Sequence, residues 1–360
     1  MANIGFDLDE TLGEFFMAHY TTLFLQPHIV VYEGTWSGIY AGIKRNPPIP
    51  LTDSLKSALD SAFDLFIDCV AEKEKRGLGL LRPGIVDMAK RLYALQQMGK
   101  VKSVIIYSNN GNLALLHMAG KLIERLANAP GLFCNYIHWF HPLRESEVVK
   151  GRPGIADKTF QVLLQAFQTG SCKPGEISRE NVFFFDDALH FDIYSYIPNQ
   201  YFHISPYKYD VDPEELIDCF KTAFVNAGLD KNREYFTFIS EIIGLNPSQD
   251  SLEKMNASIF QRLESDKKIV RRKIIPNNTN FHKRFYNSFP LSKKDFLKSL
   301  QTVRRFENRL NKGETLKNEE SKKLSNAKAL LNSFELQTPN LSGGKRTRKT
   351  RRQKPKHAKN

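Results

Sequence analysis

Near its start the chain reads Asn3-Ile4-Gly5-Phe6 and then Asp7-Leu8-Asp9-Glu10-Thr11-Leu12-Gly13. A short apolar strand therefore runs straight into a turn that carries acids. Residues i and i+2 of an extended segment point to one face, so Asp7 and Asp9 leave the strand end together. Two carboxylates held side by side repel each other unless something positive sits between them. Oxygen-only donors in a polar loop suit Mg2+, which binds through one or two carboxylates and keeps several waters for itself.

The same transition recurs down the chain. Ser103-Val104-Ile105-Ile106-Tyr107 reads as a buried strand that ends in Ser108-Asn109-Asn110-Gly111-Asn112, followed by a helix with Leu115, Ala119, Leu122 and Leu126 on one face. A helix start after a polar turn offers free N–H groups to an anion. Phe133 to Phe140 reads as another strand, and Asp157-Lys158 starts a helix with Phe160, Leu163, Leu164 and Phe167 at helical spacing. A Lys in a first helical turn opposes the macrodipole, which marks Lys158 as an anion-binding candidate with Lys150 in reserve. Val182-Phe183-Phe184-Phe185 ends in Asp186-Asp187, adjacent acids that are costly after a buried strand without a cation or donors. His190 and Asp192 read as structural. A strand at 200–204 and a helix opened by Asp212-Pro213-Glu214-Glu215 close the alternation.

Strands alternating with helices predict an α/β fold, a Rossmann-like parallel sheet with helices on both faces. Ligands of such sheets bind outside the carboxyl ends of the strands, where Asp7, Asp9, Ser108, Asp186 and Asp187 all fall. Between the first two transitions lies an insertion, residues 13–81. It includes a Gly-rich stretch at Glu33 to Gly38 and a helix capped by Thr52 or Asp53, with Leu55, Leu59, Phe63 and Phe66 on one face. Leu81-Arg82-Pro83-Gly84 then opens a helix bearing Ile85, Met88, Leu92 and Leu95.

The wording Phe-Asp-Leu-Asp-Glu-Thr-Leu at Phe6 to Leu12 resembles the first motif of the haloacid-dehalogenase superfamily of phosphohydrolases, nearest to its Asp-x-Asp-x-Thr protein phosphatases of the RNA polymerase C-terminal-domain type. Ser108, Lys158 and Asp186-Asp187 follow in the order of that superfamily's second, third and fourth motifs. The resemblance implies a Mg2+-dependent phosphomonoester hydrolase. In it Asp7 is the nucleophile, Asp9 the general acid and base, and Ser108, Asn109 and Lys158 hold the phosphate. Asp7, Asp9 (through its carbonyl), Asp186 and Asp187 serve the metal. The insertion falls where the superfamily often carries a cap. The interval from Asp7 to Ser108 is long for the protein-phosphatase subgroup, and the fourth motif reads Asp-Asp-Ala rather than Asp-Asn-Ser-Pro. The substrate, be it a phosphoprotein, a small metabolite or a nucleic-acid end, is left open.

Composition adds a second theme. The chain carries +13 overall, distributed as −7 over residues 1–250, +11 over 251–340 and +9 over the last twenty. An acidic front joined to a basic rear suggests that the rear meets a polyanion or an acidic partner. The expected domains are a catalytic one at 1–230, a basic helical region at 231–340 and a disordered basic tail at 341–360. The region at 231–340 shows amphipathic stretches at Ser251–Leu263, Phe296–Leu310 and Leu324–Phe334, the last two joined as a hairpin near Lys312-Gly313, with basic clusters at Lys267–Lys273 and Lys283-Arg284. The tail, Gly343-Gly344-Lys345-Arg346-Thr347-Arg348-Lys349, reads as an arm for nucleic acid or a nuclear import receptor, and it resembles the endings of large DNA virus proteins. A non-enzymatic nucleic-acid-binding or scaffold protein on the same fold is the alternative reading. No run of about 18 apolar residues predicts a membrane span, and no signal peptide precedes the first strand. A soluble cytoplasmic or nuclear protein, of a host cell if viral, is expected. Cys69, Cys134, Cys172 and Cys219 show no Cys-x-x-Cys spacing and read as free buried thiols.

Overall fold

The computed structural model describes residues 1–27, 51–147, 158–172, 176–209, 211–243, 250–267, 285, 288–289, 293–312 and 314–337. Lys150, the Gly-rich stretch at 33–38, the basic clusters at 268–273 and 283–284, and the tail at 341–360 lie outside them. The chain divides into two compact units, Met1–Phe289 and Pro290–Asn360.

The first unit is built on five parallel strands: β1 (Ala2–Phe6), β2 (Val101–Tyr107), β3 (Asn135–Ile137), β4 (Val182–Asp186) and β5 (Tyr201–His203). Their order across the sheet is β3-β2-β1-β4-β5. From β1 the chain steps outward through β2 to β3, then returns to the other side of β1 and steps outward again through β4 to β5. The direction of winding reverses between β1 and β4, and at such a switch point the loops diverge and leave a crevice at the strands' carboxyl ends. Phe6 pairs in register with Phe185 and with Ile106, so Asp7 leaves the sheet level with Asp186.

Alternating side chains cover the two faces of the sheet. Ile105, Tyr107, Ile137, Val182 and Phe184 pack against α5 (Phe160–Ala166) and α6 (Phe191–Tyr196). The close fit there depends on Gly5: a Cβ would come within 2.8 Å of the Phe184 ring and 3.1 Å of Leu163. On the other face α3 (Ile85–Gln97) lies against β2 and α4 (Leu113–Ala127) against β3, while Phe183 and Phe185 pack on Phe289 and Phe285.

The described part of the insertion supplies two helices, α1 (Phe16–Leu25) and α2 (Asp53–Lys75). Thr52 caps α2 by accepting from the Leu55 N–H at 3.2 Å, with Asp53 in its first turn and Lys73 and Lys75 in its last, as the helix dipole favours. Both helices join α7 (Pro213–Asn226), capped by Asp212, in a further layer against α4. The strong capping signals at Thr52 and Asp212 placed these two helix starts in the sequence as well.

The first unit extends past residue 230, where the sequence reading ended its first domain. Helix α8 (Arg233–Ile243) buries Tyr235, whose hydroxyl donates to the Phe24 carbonyl at 2.9 Å. Helix α9 (Leu252–Lys267) buries Met255, Ile259 and Leu263 and packs on α1. Its apolar stripe is thus core of the first unit, not of a separate basic region. The second unit contains α10 (Lys293–Asn311) and α11 (Asn318–Gln337), which pack on each other as the expected hairpin. Among the described residues no helix is long and apolar enough to cross a membrane.

The four cysteines correct the sequence reading: they form two disulfides, Cys69–Cys219 and Cys134–Cys172. The partners are 150 and 38 residues apart, so local spacing carries no trace of the pairing. It is the packing of α2 on α7 that brings Cys69 to Cys219. Peptide mapping without reductant is expected to recover both linked pairs. Replacing Cys69 and Cys219 together by Ser should lower the unfolding free energy by about 2–4 kcal/mol in denaturant titration; free thiols at all four positions would refute the pairing.

Candidate active site at the sheet crossover

Lys158 is the centre of the site. Its Nζ donates to Asp7 Oδ1 at 2.5 Å and to Asp186 Oδ2 at 2.6 Å, and all three side chains are nearly inaccessible to water. The sequence placed Lys158 in the first turn of a helix. In the structure it lies just before the cap: Thr159 is the N-cap of α5, accepting from the Val162 N–H. Lys158 is therefore a buried point charge between two carboxylates, outside the first helical turn.

Asp187 completes the cluster. Asp7, Asp186 and Asp187 each offer a carboxylate oxygen, and these oxygens lie within 4.8 Å of one another. Thr11 fixes Asp187 twice, its hydroxyl donating to Oδ1 at 3.1 Å and accepting from the Asp187 N–H at 3.0 Å. The Asp186 Oδ1 accepts from the Ala188 N–H at 2.8 Å. His190 lies against the same carboxylate, Nε2 to Oδ2 at 3.3 Å, while its Nδ1 accepts from the Lys158 N–H. Asp192 accepts from the Phe160 N–H at 2.7 Å and so supports the start of α5.

The electrostatics show too little positive charge for the acids present. Burial pushes Asp7 up to about 6 although Lys158 opposes it, and burial with the neighbouring acids pushes Asp187 up to about 7. Burial acts the same way on Asp186, but there Lys158 and His190 outweigh it and hold the carboxyl below its ordinary range. For Lys158 the two carboxylates outweigh burial and raise the ammonium. A divalent cation fits this site: the donors are hard oxygens, and one Lys does not balance three acids.

Asp9 stands beside this cluster. Asn110 Nδ2 donates to its Oδ2 at 2.9 Å, yet burial, with Asp7 and Glu14 nearby, raises the carboxyl to about 7. Asn110 also links Asp9 to the second loop, where its backbone N–H donates to the buried Ser108 Oγ at 3.1 Å and its Oδ1 accepts from the Asn112 N–H. The Asn109 side chain turns to Arg144, its Oδ1 accepting from Nη2 at 2.7 Å. Of the residues singled out in the sequence, Asp7, Lys158, Asp186 and Asp187 meet directly, and Asn110 links Asp9 and Ser108 to each other beside them.

Sequence reasoning missed the residues that hold these loops. Arg82, fully enclosed, donates to the Thr11 carbonyl at 2.8 Å, the Glu10 carbonyl at 2.6 Å and the Ser205 carbonyl at 2.7 Å. The turn it holds is strained, for Glu10 has φ 57. Gly13 closes that turn, and a Cβ there would fall 2.2 Å from the Leu80 carbonyl oxygen. Arg144 does the same for the second loop through the Ser108 carbonyl at 2.8 Å. It pairs with buried Glu147 at 2.5 Å, and Glu147 in turn accepts from Tyr107 and from the Thr159 N–H. An Arg before Pro-Gly was visible in the sequence at Arg82, but nothing local showed what it would hold.

No protein-family model matches the chain, and neither does any curated protein or solved structure.

Lys in place of Arg82 keeps the charge but loses the planar fork. Arg82→Lys is expected to cost about 2–3 kcal/mol in urea unfolding through the loss of charge-assisted bonds to buried carbonyls. A cost below about 0.5 kcal/mol would show that the turn holds itself.

Proposed function

We propose that the chain is a Mg2+-dependent phosphomonoester hydrolase of the haloacid-dehalogenase type, working through an aspartyl-phosphate. The observation that carries this reading is the meeting of Lys158 with Asp7 and Asp186 at the carboxyl ends of β1 and β4, the strands that flank the switch point.

Asp7 attacks phosphorus, the P–O bond to the leaving group breaks, and Asp9 gives its proton to the departing oxygen. Asp9, now ionised, takes a proton from water, whose oxygen attacks phosphorus and releases phosphate from Asp7. A carboxyl raised to about 7 suits both halves, because near neutrality it is present in each protonation state. Asn110 holds that carboxyl toward the second loop. Lys158 and Ser108 hold the equatorial phosphoryl oxygens, the Lys giving electrostatic stabilisation from a site without bulk water. Asp7, Asp186 and Asp187 would hold the metal, which when bound offsets the negative charge that phosphate brings to these acids.

Hydrolysis of a chromogenic phosphomonoester tests the assignment. Activity is expected with Mg2+, to disappear with EDTA, and to fall at least about 10³-fold in Asp7→Asn; full activity in Asp7→Asn or in EDTA overturns it. Asn110→Ala is expected to lower kcat by about 10–100-fold with little change in KM, as for loss of a group acting mainly in the transition state. An unchanged kcat would remove Asn110 from the reaction.

A further inference from the structure

The second unit carries a face that the hydrolase does not use. Residues Pro290–Asn360 hold a net charge of +14, against +13 for the whole chain, so the positive balance of the protein belongs to this unit. Within its described part, α10 buries Val303 and Phe306, and α11 buries Ala327 and Leu330 where the two helices meet. On the outward side of α10, Lys298, Gln301, Arg305 and Asn308 are exposed at steps of three and four, and Lys312 continues the stripe just past the helix end. Arg304, also exposed, flanks it. At 1.5 Å per residue the stripe is about 21 Å long.

No acid interrupts this stripe. Three acids of the hairpin are engaged elsewhere: Glu307 pairs with Lys328 at 2.8 Å, and Glu314 and Glu320 both pair with Arg309 at 2.7 Å. A membrane surface calls for a run of apolar residues along the exposed face, whereas here Leu297 and Leu310 are exposed singly near the two ends of α10 and Val303 and Phe306 are buried toward α11. What the stripe offers is cations for phosphates, together with two carboxamides. Gln and Asn side chains read adenine edges and Arg reads guanine. The exposed face of one helix, about 10–12 Å across, enters the major groove of B-form DNA, about 12 Å wide, but not the narrow major groove of A-form RNA.

We propose that the outward face of α10 is a binding surface for double-stranded DNA, with Lys298, Arg304, Arg305 and Lys312 on phosphates or guanine edges and Gln301 and Asn308 directed to bases. This surface is independent of the hydrolase reading.

The test is fluorescence anisotropy of the full chain with a labelled 20-bp DNA duplex between 50 and 200 mM salt. The wild type is expected to bind with a steep salt dependence. The variant with Lys298, Arg304, Arg305 and Lys312 all replaced by Ala is expected to bind at least about tenfold more weakly, with its log–log salt slope shallower by about 3–4. Single Lys298→Gln and Lys312→Gln variants should each remove about one unit of slope. A chain ending at Asn340 should keep the difference between wild-type and variant α10, which separates this surface from the tail. Gln301→Ala with Asn308→Ala should leave the slope unchanged and reduce discrimination among sequences. Wild-type affinity and slope in the fourfold variant, or no binding by the wild type, overturns the proposal. Equal competition by an RNA duplex of the same sequence overturns the major-groove assignment. All six side chains are exposed, so the helical circular dichroism and the phosphomonoesterase rate of these variants are expected to match the wild type.

Discussion

One buried ammonium among buried acids sets the terms for the first unit. Lys158 reaches Asp7 and Asp186 from before α5 and holds together the carboxyl ends of two neighbouring strands whose acids would otherwise repel each other. Such an arrangement is expensive, since each charge gives up its water and the attraction repays this only with good geometry. The rest of the site supplies that geometry. Thr11 donates to Asp187 Oδ1, the Ala188 N–H to Asp186 Oδ1, and His190 lies against the Asp186 Oδ2 that Lys158 also binds, so the acids are held by more than the lysine alone.

Two arginines extend this logic outward. Arg82 gathers three carbonyls from the turn after β1 and the segment after β5, and Arg144 binds the turn after β2 to the start of α5 through Glu147. Both replace water around backbone groups that the crossover leaves without strand partners, and that fits the planar guanidinium better than any other side chain. The loops that carry the acids are thereby fixed from beneath, while their carboxylates remain at the open end of the sheet. The proposed phosphoryl transfer would draw on this preorganisation, because such catalysis is mostly positioning and charge.

The two units divide the charge as well as the fold. The acidic candidate site belongs to the first, and the positive balance of the protein belongs to the second. The overall charge is therefore nearly that of the second unit, while the first is close to neutral.

Much of this was legible in the residues themselves. Apolar runs that stop at Asp7, Ser108 and Asp186 mark strand ends, because a buried strand tolerates no unpaired charge. Thr52 and Asp212 mark helix starts, because their side chains satisfy nearby N–H groups. Both signals are local, so they survive without a structure. The helix of Phe16–Leu25, apolar on nearly every side, showed no clear period, and the stripe of α9 gave its face but not the α1 surface that covers it. The pairing of Cys69 with Cys219, the reach of Arg82 to Ser205 and the link of Asn110 to Asp9 join residues about 100 or more positions apart. Which side chains meet at such separations depends on the strand order and helix packing of the whole unit. The sequence by itself determined the chemistry available at each strand end; only the tertiary structure decided that Asp7, Lys158, Asp186 and Asp187 share one crevice, because it is the reversal of winding between β1 and β4 that brings them there.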